Sequence, residues 1–435
     1  MKNVSERGRV LSVLTAVSGG AMADQALHRQ LDAIPGPEMA RERSFIARLT
    51  RTTLERTITL DYFLDQLTKK PVRAQKPEIA WILRMGAAQI LYMDSVPDAA
   101  AVNEAVKLAA AKGAGAKAFV NGTLRTFLRQ KSTFAYPDRE KNFDRYLQIR
   151  YSVPGWIEQE IVRACGQERA EEVLAAFICE APLFVRVNTA RTSAAALADK
   201  LKAAGIRALP APEVDNLLAV EDFGSVTDIP GFAQGEFYIQ DLSSAAAYSA
   251  AGFRPGGRVL DVCGAPGGKS VQAALLMREA GAPGTVLSCD ISSGRLARTA
   301  GNAARLRLDE ITVKERSALE SFPEDAGRYD TVIADVPCSG AGDLRRKPDI
   351  RLRVQRSDSR ALVPVQRKIL AASFPAVKPG GRLIYSTCTI AHAENEGNAA
   401  WFEAHFPVKK CFEKLYLPQK DWPGDGFYAA VFERI

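Results

Sequence analysis

Residues 258–270 read RVLDVCGAPGGKS. The run from Arg258 to Val262 is short and apolar, as a buried strand is. The turn Gly264-Ala265-Pro266-Gly267-Gly268 follows, then an Ala- and Leu-rich stretch, 271–280, of helical character. Strand, glycine turn and helix open a doubly wound α/β domain, where ligands bind at the carboxyl ends of the strands. Glycine allows a ligand close to the backbone because no Cβ intervenes. A P-loop would need a glycine where Cys263 stands, and only three residues separate Gly264 from Gly268. The dinucleotide pattern G-x-G-x-x-G is absent too. The stretch suits a nucleoside-like ligand without demanding a polyphosphate; a plain tight turn is the alternative.

Two later stretches share this form. Residues 329–340 read YDTVIADVPCSG and residues 381–390 read GRLIYSTCTI. Each is an apolar strand running into a polar loop with a cysteine, Cys338 in one and Cys388 in the other. Further strands are expected at 285–289 and 311–314, with a final one at 427–433 and another near it at 408–412. Helical sequence lies between the main strands, which predicts a mostly parallel sheet covered on both faces. Three strand ends then converge on one crevice, and two of them deliver a cysteine.

The chain of 435 residues is too long for one core, so two or three domains are expected. Its 47% hydrophobic and 25% charged residues are those of a soluble globular protein. No apolar run is long enough for a membrane span, and MKNVSERGRV lacks the apolar core of a signal peptide. Seven scattered cysteines without a CxxC, and three histidines, argue against a disulfide framework and against a metal site. A cytoplasmic setting with free thiols is expected. The net charge is +8, and residues 1–140 carry 21 Lys/Arg against 14 Asp/Glu, so +7 resides there. A basic domain is the footprint of a polyanionic partner.

Residues 5–130 show apolar residues at helical spacing, and five to seven short helices predict an all-α bundle. The stretch ILRMGAAQILYMDSVPDAAAVNEAVKLA (82–109), followed by FVNGTLR (119–125), resembles the NusB family, which implies helical RNA binding. Asn103, Glu104, Asn121 and Arg125 read better as structural hydrogen-bonders than as RNA contacts. The domains expected are 1–135, a NusB-like helical RNA-binding bundle; 145–235, a small α/β RNA-binding module; and 236–435, the larger α/β domain. In the small module, helices at 154–166 and 170–177 precede the strand-like PLFVRVNTAR, with Val185 and Val187 on one face and Arg186 and Asn188 on the other. Asp241 before Ser-Ser and an alanine run reads as a helix cap.

The strand ends carry the chemistry. Asp290 ends the second strand, 29 residues after Asp261, where an acidic side chain commonly holds ribose hydroxyls. Asp335 ends the fourth and faces the same crevice. A free cysteine is usually a small buried hydrophobe. Cys338 and Cys388 instead sit in loops rich in Gly, Ser, Thr and Pro. A thiolate that adds to C6 of cytosine turns C5 into a nucleophile able to take a methyl group.

The motifs VLDVCGAPGGKS, DISSGRLARTAGNAARL, ADVPCSGAGDLRRKPDI, KPGGRLIYSTCTIAHAENE and DGFYAAVFER resemble the NOL1/NOP2/Sun family of RNA cytosine-5 methyltransferases. With the NusB-like N-terminus, the resemblance is to bacterial members that act on small-subunit ribosomal RNA, and it covers nearly the whole chain. It implies a Rossmann-like α/β class I methyltransferase domain with S-adenosylmethionine as cofactor. It implies Cys388 as the nucleophile and Cys338 as the residue assisting release of the adduct. It implies a cofactor loop of Cys263, Gly264, Ala265, Pro266, Gly267, Gly268 and Lys269. Asp290 would hold the ribose, and Asp335 would lie between cofactor and base. The expected partner is ribosomal RNA, with no DNA, no membrane and a monomeric chain.

Two departures stand out. Gly264 occupies a position where the family usually has alanine. The family's aspartate after the third strand is missing from VKERSA (313–318), where Arg316 or Ser317 aligns with it. Arg345, Arg346, Lys347, Arg351, Arg353, Arg356 and Arg360 form a basic segment read as phosphate contacts, with a solvated loop balanced by Asp343, Asp349 and Asp358 as the alternative. Three other readings stay open: a P-loop-like ATPase, a non-catalytic RNA-binding factor on an inactive scaffold, and a DNA cytosine methyltransferase.

Overall fold

A computed structural model describes residues 5–34, 36, 39–252, 256–282 and 284–435. They divide into two units, Met1–Ile178 with Leu344–Val354, and Cys179–Asp343 with Gln355–Ile435.

The first unit is helical. It contains α1 (Glu6–Ser18), α2 (Ala23–Asp32), α3 (Ala40–Glu55), α4 (Thr57–Asp65), α5 (Pro77–Tyr92), α6 (Asp98–Ala110), α7 (Ala114–Gln130), α8 (Phe143–Arg150) and α9 (Gly155–Ala176). Pro77 starts α5, where a missing N–H costs nothing. Residues 79–90 of α5 are buried throughout, so it is the central helix of the bundle. Val10, Leu14, Ile46, Leu49, Val120 and Leu124 pack around it at the expected helical spacing. Helix α2 lies within the stretch expected to be helical, and its buried face offers only Ala23 and Ala26. The helices expected at 154–166 and 170–177 are halves of α9, which is kinked at Gly166 with φ +77.

The second unit holds two sheets. The small one contains β1 (Leu183–Val187), β2 (Arg207–Pro210), β3 (Leu217–Glu221) and β4 (Phe237–Ile239), antiparallel in the order β2-β3-β1-β4, with α10 (Ala194–Ala203) between β1 and β2 in the chain. Val185 and Val187 pack with Leu197 and Leu201 of α10. The expected polar face is buried as well: Arg186 of β1 is 2% exposed, and Asn188, just past β1, donates from Nδ2 to the carbonyls of Gly235 and Leu306, both at 2.9 Å.

The larger sheet follows α11 (Leu242–Ala250), which Asp241 caps by accepting from the Ser243 and Ser244 amides. Its elements are β5 (Arg258–Asp261), α12 (Gly268–Glu279), β6 (Thr285–Asp290), α13 (Ser293–Leu306), β7 (Ile311–Glu315), β8 (Tyr329–Asp335), α14 (Ile350–Arg353), α15 (Arg356–Ser373), β9 (Val377–Thr387), α16 (Glu396–His405), β10 (Val408–Tyr416) and β11 (Phe427–Arg434). Of these, α14 groups with the first unit. The strand order is β10-β11-β9-β8-β5-β6-β7. Strands β5 to β9 pair in parallel, and β10 and β11 add an antiparallel edge. Two apolar cores contain the inward residues of this sheet, Val259 and Ile333 in one, Leu260 and Val332 in the other. The chain thus combines a helical bundle, a small antiparallel domain and a Rossmann-like mixed sheet. Among the described residues, no helix is long and apolar enough to cross a membrane.

Candidate active site

The strand order reverses between β5 and β8, because β6 and β7 lie on one side of β5 and β9 lies beyond β8. Such a reversal opens a crevice at the carboxyl ends of the strands. The three loops expected to carry chemistry follow β5, β8 and β9, so they are neighbours at that reversal.

The turn after β5 is tightly built. Gly264 donates its amide to the Cys289 carbonyl at 2.7 Å. Gly267 has φ +107 and enters α12, and a Cβ there would meet Thr299 of α13 at 2.9 Å. Under the turn lies a buried polar cluster. The Ser270 hydroxyl is 2.7 Å from Asp261 Oδ2 and 2.9 Å from the Ser288 hydroxyl. Asp261 Oδ1 is buried without a hydrogen-bond partner among the described residues. Burial pushes the Asp261 carboxyl up to about 7, and Asp335 adds to the rise, while the Ser270 hydrogen bond and the charge of Lys269 oppose it. Burial also raises the Cys263 thiol, so Cys263 is held neutral in this loop.

Lys269 spans the reversal. Its Nζ lies 2.6 Å from Asp335 Oδ2 and 5.4 Å from the centre of the Phe427 ring. Burial works against its charge; the Asp335 carboxylate outweighs burial and raises its pKa, with Cys388 and Asp261 contributing in the same direction. Asp335 also accepts from Ser386 at 2.7 Å, and Ser386 pairs with the Tyr248 hydroxyl at 2.9 Å. Asp290, at the end of β6, is 4% exposed and accepts from the Ser292 amide at 3.0 Å; Arg295 Nη1 is 3.6 Å away.

The two cysteines meet. Cys338 Sγ is 3.3 Å from Cys388 Sγ, and both residues are half-buried. Their loops also touch through the Ser339 and Thr389 hydroxyls at 2.7 Å. The Ser339 amide and the side chains of Ser359 and Gln366 donate to the carboxylate of Glu394, which is fully buried.

Residues 252–432 match the model of the 16S rRNA methyltransferase RsmB/F family, residues 5–129 the NusB family, and residues 153–227 the RsmF/B-like ferredoxin-like domain. The probable ribosomal RNA small subunit methyltransferase B of Bacillus subtilis (strain 168) is 34% identical over 438 residues, covering 97% of this chain and 94% of that protein. The protein of the same description from Synechocystis sp. is 33% identical over 390 residues, covering 89% and 83%. This chain belongs to the small-subunit ribosomal RNA methyltransferase B family. The crystal structure of PH0851, at 20% identity, shares the fold with a TM-score of 0.77 over 99% of each chain.

In this family member the residues singled out in the sequence fall in one place. Cys338, Cys388, Lys269 and Asp335 are grouped around the reversal, and Asp290 stands one strand away. The two positions aligned with the missing aspartate behave differently. Arg316 is buried, paired with Asp325 and stacked on the Phe322 ring at 3.5 Å. Ser317 accepts from the Leu319 amide at 3.3 Å.

The basic segment departs from expectation at its core. Arg351 is buried and donates to the carbonyls of Ser152 at 3.0 Å, Leu344 at 2.7 Å and Phe177 at 3.3 Å. Arg345 is 2% exposed, and Arg353 pairs with Asp349 at 2.8 Å. Arg351 therefore satisfies backbone groups and is not a phosphate contact.

Sequence reading missed three features. Asp261 belongs to β5 as expected, but its buried cluster with Ser270 and Ser288 was not foreseen, although an acidic residue closing an apolar strand before a glycine turn is itself a signal. Ile291, next to Asp290, is 71% exposed at the strand end. Glu394 and Asn395 close the KPGGRLIYSTCTIAHAENE motif, but nothing in its spacing marks them as holding the two cysteine loops.

Proposed function

We propose that this chain transfers a methyl group from S-adenosylmethionine to C5 of a cytosine in small-subunit (16S) ribosomal RNA through a covalent adduct on Cys388. The observation that most supports this reading is the 3.3 Å separation of the Cys338 and Cys388 sulfurs at the ends of adjacent strands. A single structural cysteine would not need a second one beside it in a polar crevice.

The residues present fit the cofactor. Asp261 Oδ1 is a buried acceptor without a partner among the described residues, beneath the glycine turn. A Cβ on Gly268 would meet nothing within 4 Å, so the backbone is open there. Cys263, Gly264, Ala265, Pro266, Gly267, Gly268 and Lys269 would form the cofactor loop, Asp290 would hold the ribose hydroxyls, and Asp335 would separate cofactor from base. S-adenosylmethionine supplies an electrophilic methyl on a sulfonium and leaves as S-adenosylhomocysteine.

The target cytosine leaves its stack to reach the crevice. Cys388 gives its thiol proton to solvent water and attacks as the thiolate, beside the Lys269 ammonium whose charge interacts with it. The thiolate adds to C6, and the displaced electron pair makes C5 a nucleophile. C5 takes the methyl group, and the electrons of the broken C–S bond stay with the departing sulfur. A base then removes the C5 proton, the C5–C6 double bond re-forms and the Cys388 thiolate is expelled. Cys338 assists this release. The basic N-terminal domain, expected at 1–135, and the small domain, expected at 145–235, hold the RNA.

The test is methyl transfer from labelled S-adenosylmethionine to small-subunit ribosomal RNA lacking modifications. Wild type is expected to label cytosine C5, Cys388→Ala to be inactive, and Cys338→Ala to accumulate a protein–RNA adduct on denaturing gels. Methylation by Cys388→Ala would remove Cys388 as nucleophile. No transfer by wild type to any ribosomal RNA would favour an RNA-binding factor on an inactive scaffold.

A further inference from the structure

Glu394 and Asn395 are consecutive, fully buried polar residues, and each brackets a different cysteine. Asn395 holds both neighbours of Cys388. Its Oδ1 accepts from the Thr387 hydroxyl at 2.6 Å, and its Nδ2 donates to the Thr389 carbonyl at 2.9 Å. Glu394 holds the Cys338 side. Its Oε2 accepts from the Ser339 amide at 3.0 Å and from Gln366 Nε2 at 2.8 Å. The same Gln366 nitrogen donates to the Pro337 carbonyl at 2.9 Å. Both residues flanking each cysteine are thus tied to one dipeptide, directly or through Gln366.

The dipeptide is itself anchored. Ser359 donates to Glu394 Oε1 at 2.7 Å. The Tyr385 hydroxyl donates to the Glu394 carbonyl, and Asn398 Nδ2 bonds Gln366 Oε1 at 2.8 Å. A buried polar network with its partners in place specifies one geometry.

We propose that Glu394 and Asn395 are positioning residues that set the separation and direction of the Cys338 and Cys388 thiols. The loops follow different strands, and β8 and β9 pairing alone fixes only their starting points. The clamp joins them beyond the strands. This inference rests on the function proposed above for the two cysteines. A displacement of about 1 Å at a reacting atom lowers rates by roughly 100-fold.

The test uses Glu394→Gln, Asn395→Asp, Thr387→Val and Thr387→Ser in the full chain. The first readout is cross-linking of Cys338 to Cys388 by diamide, which takes up the two electrons and two protons that the thiols lose. Its rate reports sulfur–sulfur geometry without any methyl transfer, so it stands even if the proposed function fails. The second is kcat against KM for RNA and for S-adenosylmethionine. Positioning predicts that Glu394→Gln, Asn395→Asp and Thr387→Val cross-link at least 10-fold more slowly and lose about 10- to 100-fold in kcat, with both KM values within about twofold. Thr387→Ser, which keeps the hydroxyl, restores both rates. Thermal melting is followed in parallel. Should the two clamp variants fail to fold, the Thr387 pair decides alone. Wild-type cross-linking rates in the folded variants, or equal rates in Thr387→Val and Thr387→Ser, would overturn the proposal. Normal cross-linking responses in a protein without methyl transfer would keep the clamp and reject the function.

Discussion

The Ser288 hydroxyl occupies the space that a side chain on Gly264 would need. A Cβ at Gly264 would lie 2.1 Å from Ser288 Oγ and 2.9 Å from Asp261 Cγ. The glycine that departs from the family's usual alanine is therefore matched to a serine on the neighbouring strand. Gly264→Ala is expected to destabilise the protein by about 1–3 kcal/mol, as overpacking of a tight interior does. Adding Ser288→Ala removes the nearer clash and should recover part of that loss. Denaturant unfolding of both single variants and the double variant measures the coupling. Strict additivity would show that the two positions do not share this space.

Asp261 makes stability depend on pH in the direction opposite to a salt-bridged carboxylate. Its carboxyl titrates near 7 in the native state because it is buried, against about 3.9 for an unperturbed aspartate. Between those values the native state binds more protons than the unfolded chain. The contribution is present at low pH, falls as pH rises through that window, and levels off above it. Its size is on the order of a few kcal/mol. Urea unfolding at several pH values from 4.5 to 7.5, in wild type and Asp261→Asn, isolates the effect as the difference between the two profiles. Parallel profiles would place the carboxyl's native pKa near its unfolded value.

The parallel sheet was legible because five apolar runs each ended in turn chemistry, and buried strands need little else. The strands at 285 and 329 end at Asp290 and Asp335, the acidic ends expected of them, because parallel pairing to Glu315 and Ser386 continues through those polar residues. Cys338 and Cys388 were legible as residues of two loops, while their contact depends on strand order, which no local pattern encodes. β2 was missed because its RALP sequence is an exposed edge strand without alternation. Glu394 and Asn395 were legible only as the end of the motif that follows Cys388; what they hold shows in their burial and partners, which local sequence does not encode.

Breaking the Lys269–Asp335 pair should separate chemistry from folding. Asp335→Asn removes the charge that balances Lys269 and weakens the acceptor for Ser386. Lys269→Met leaves Asp335 with its Ser386 hydrogen bond at 2.7 Å. The first is therefore expected to lose more stability, about 1–3 kcal/mol, and the second less. Both should lower methyl transfer by at least about 100-fold, since each removes a group at the strand-order reversal. Denaturation curves and single-turnover assays on the same preparations test this. Full activity in Lys269→Met would exclude the lysine from activating Cys388.

Arg351 and Arg360 lie nine residues apart in the basic segment and should respond differently to substitution. Arg351→Met strips hydrogen bonds from the Ser152, Leu344 and Phe177 carbonyls. Burial already lowers the guanidinium pKa to about 10, so its charge is costly; those acceptors and the Glu55 carboxylate support it. The substitution is expected to cost about 2–5 kcal/mol of stability while leaving the salt dependence of RNA affinity unchanged. Arg360 is exposed on α15. Arg360→Gln should barely affect stability, and if it faces a phosphate it reduces the slope of log affinity against log salt by about 0.7–0.9. RNA binding titrated at several salt concentrations, beside unfolding curves, gives both quantities. A stable Arg351→Met variant with a reduced salt slope would return Arg351 to the phosphate-binding surface.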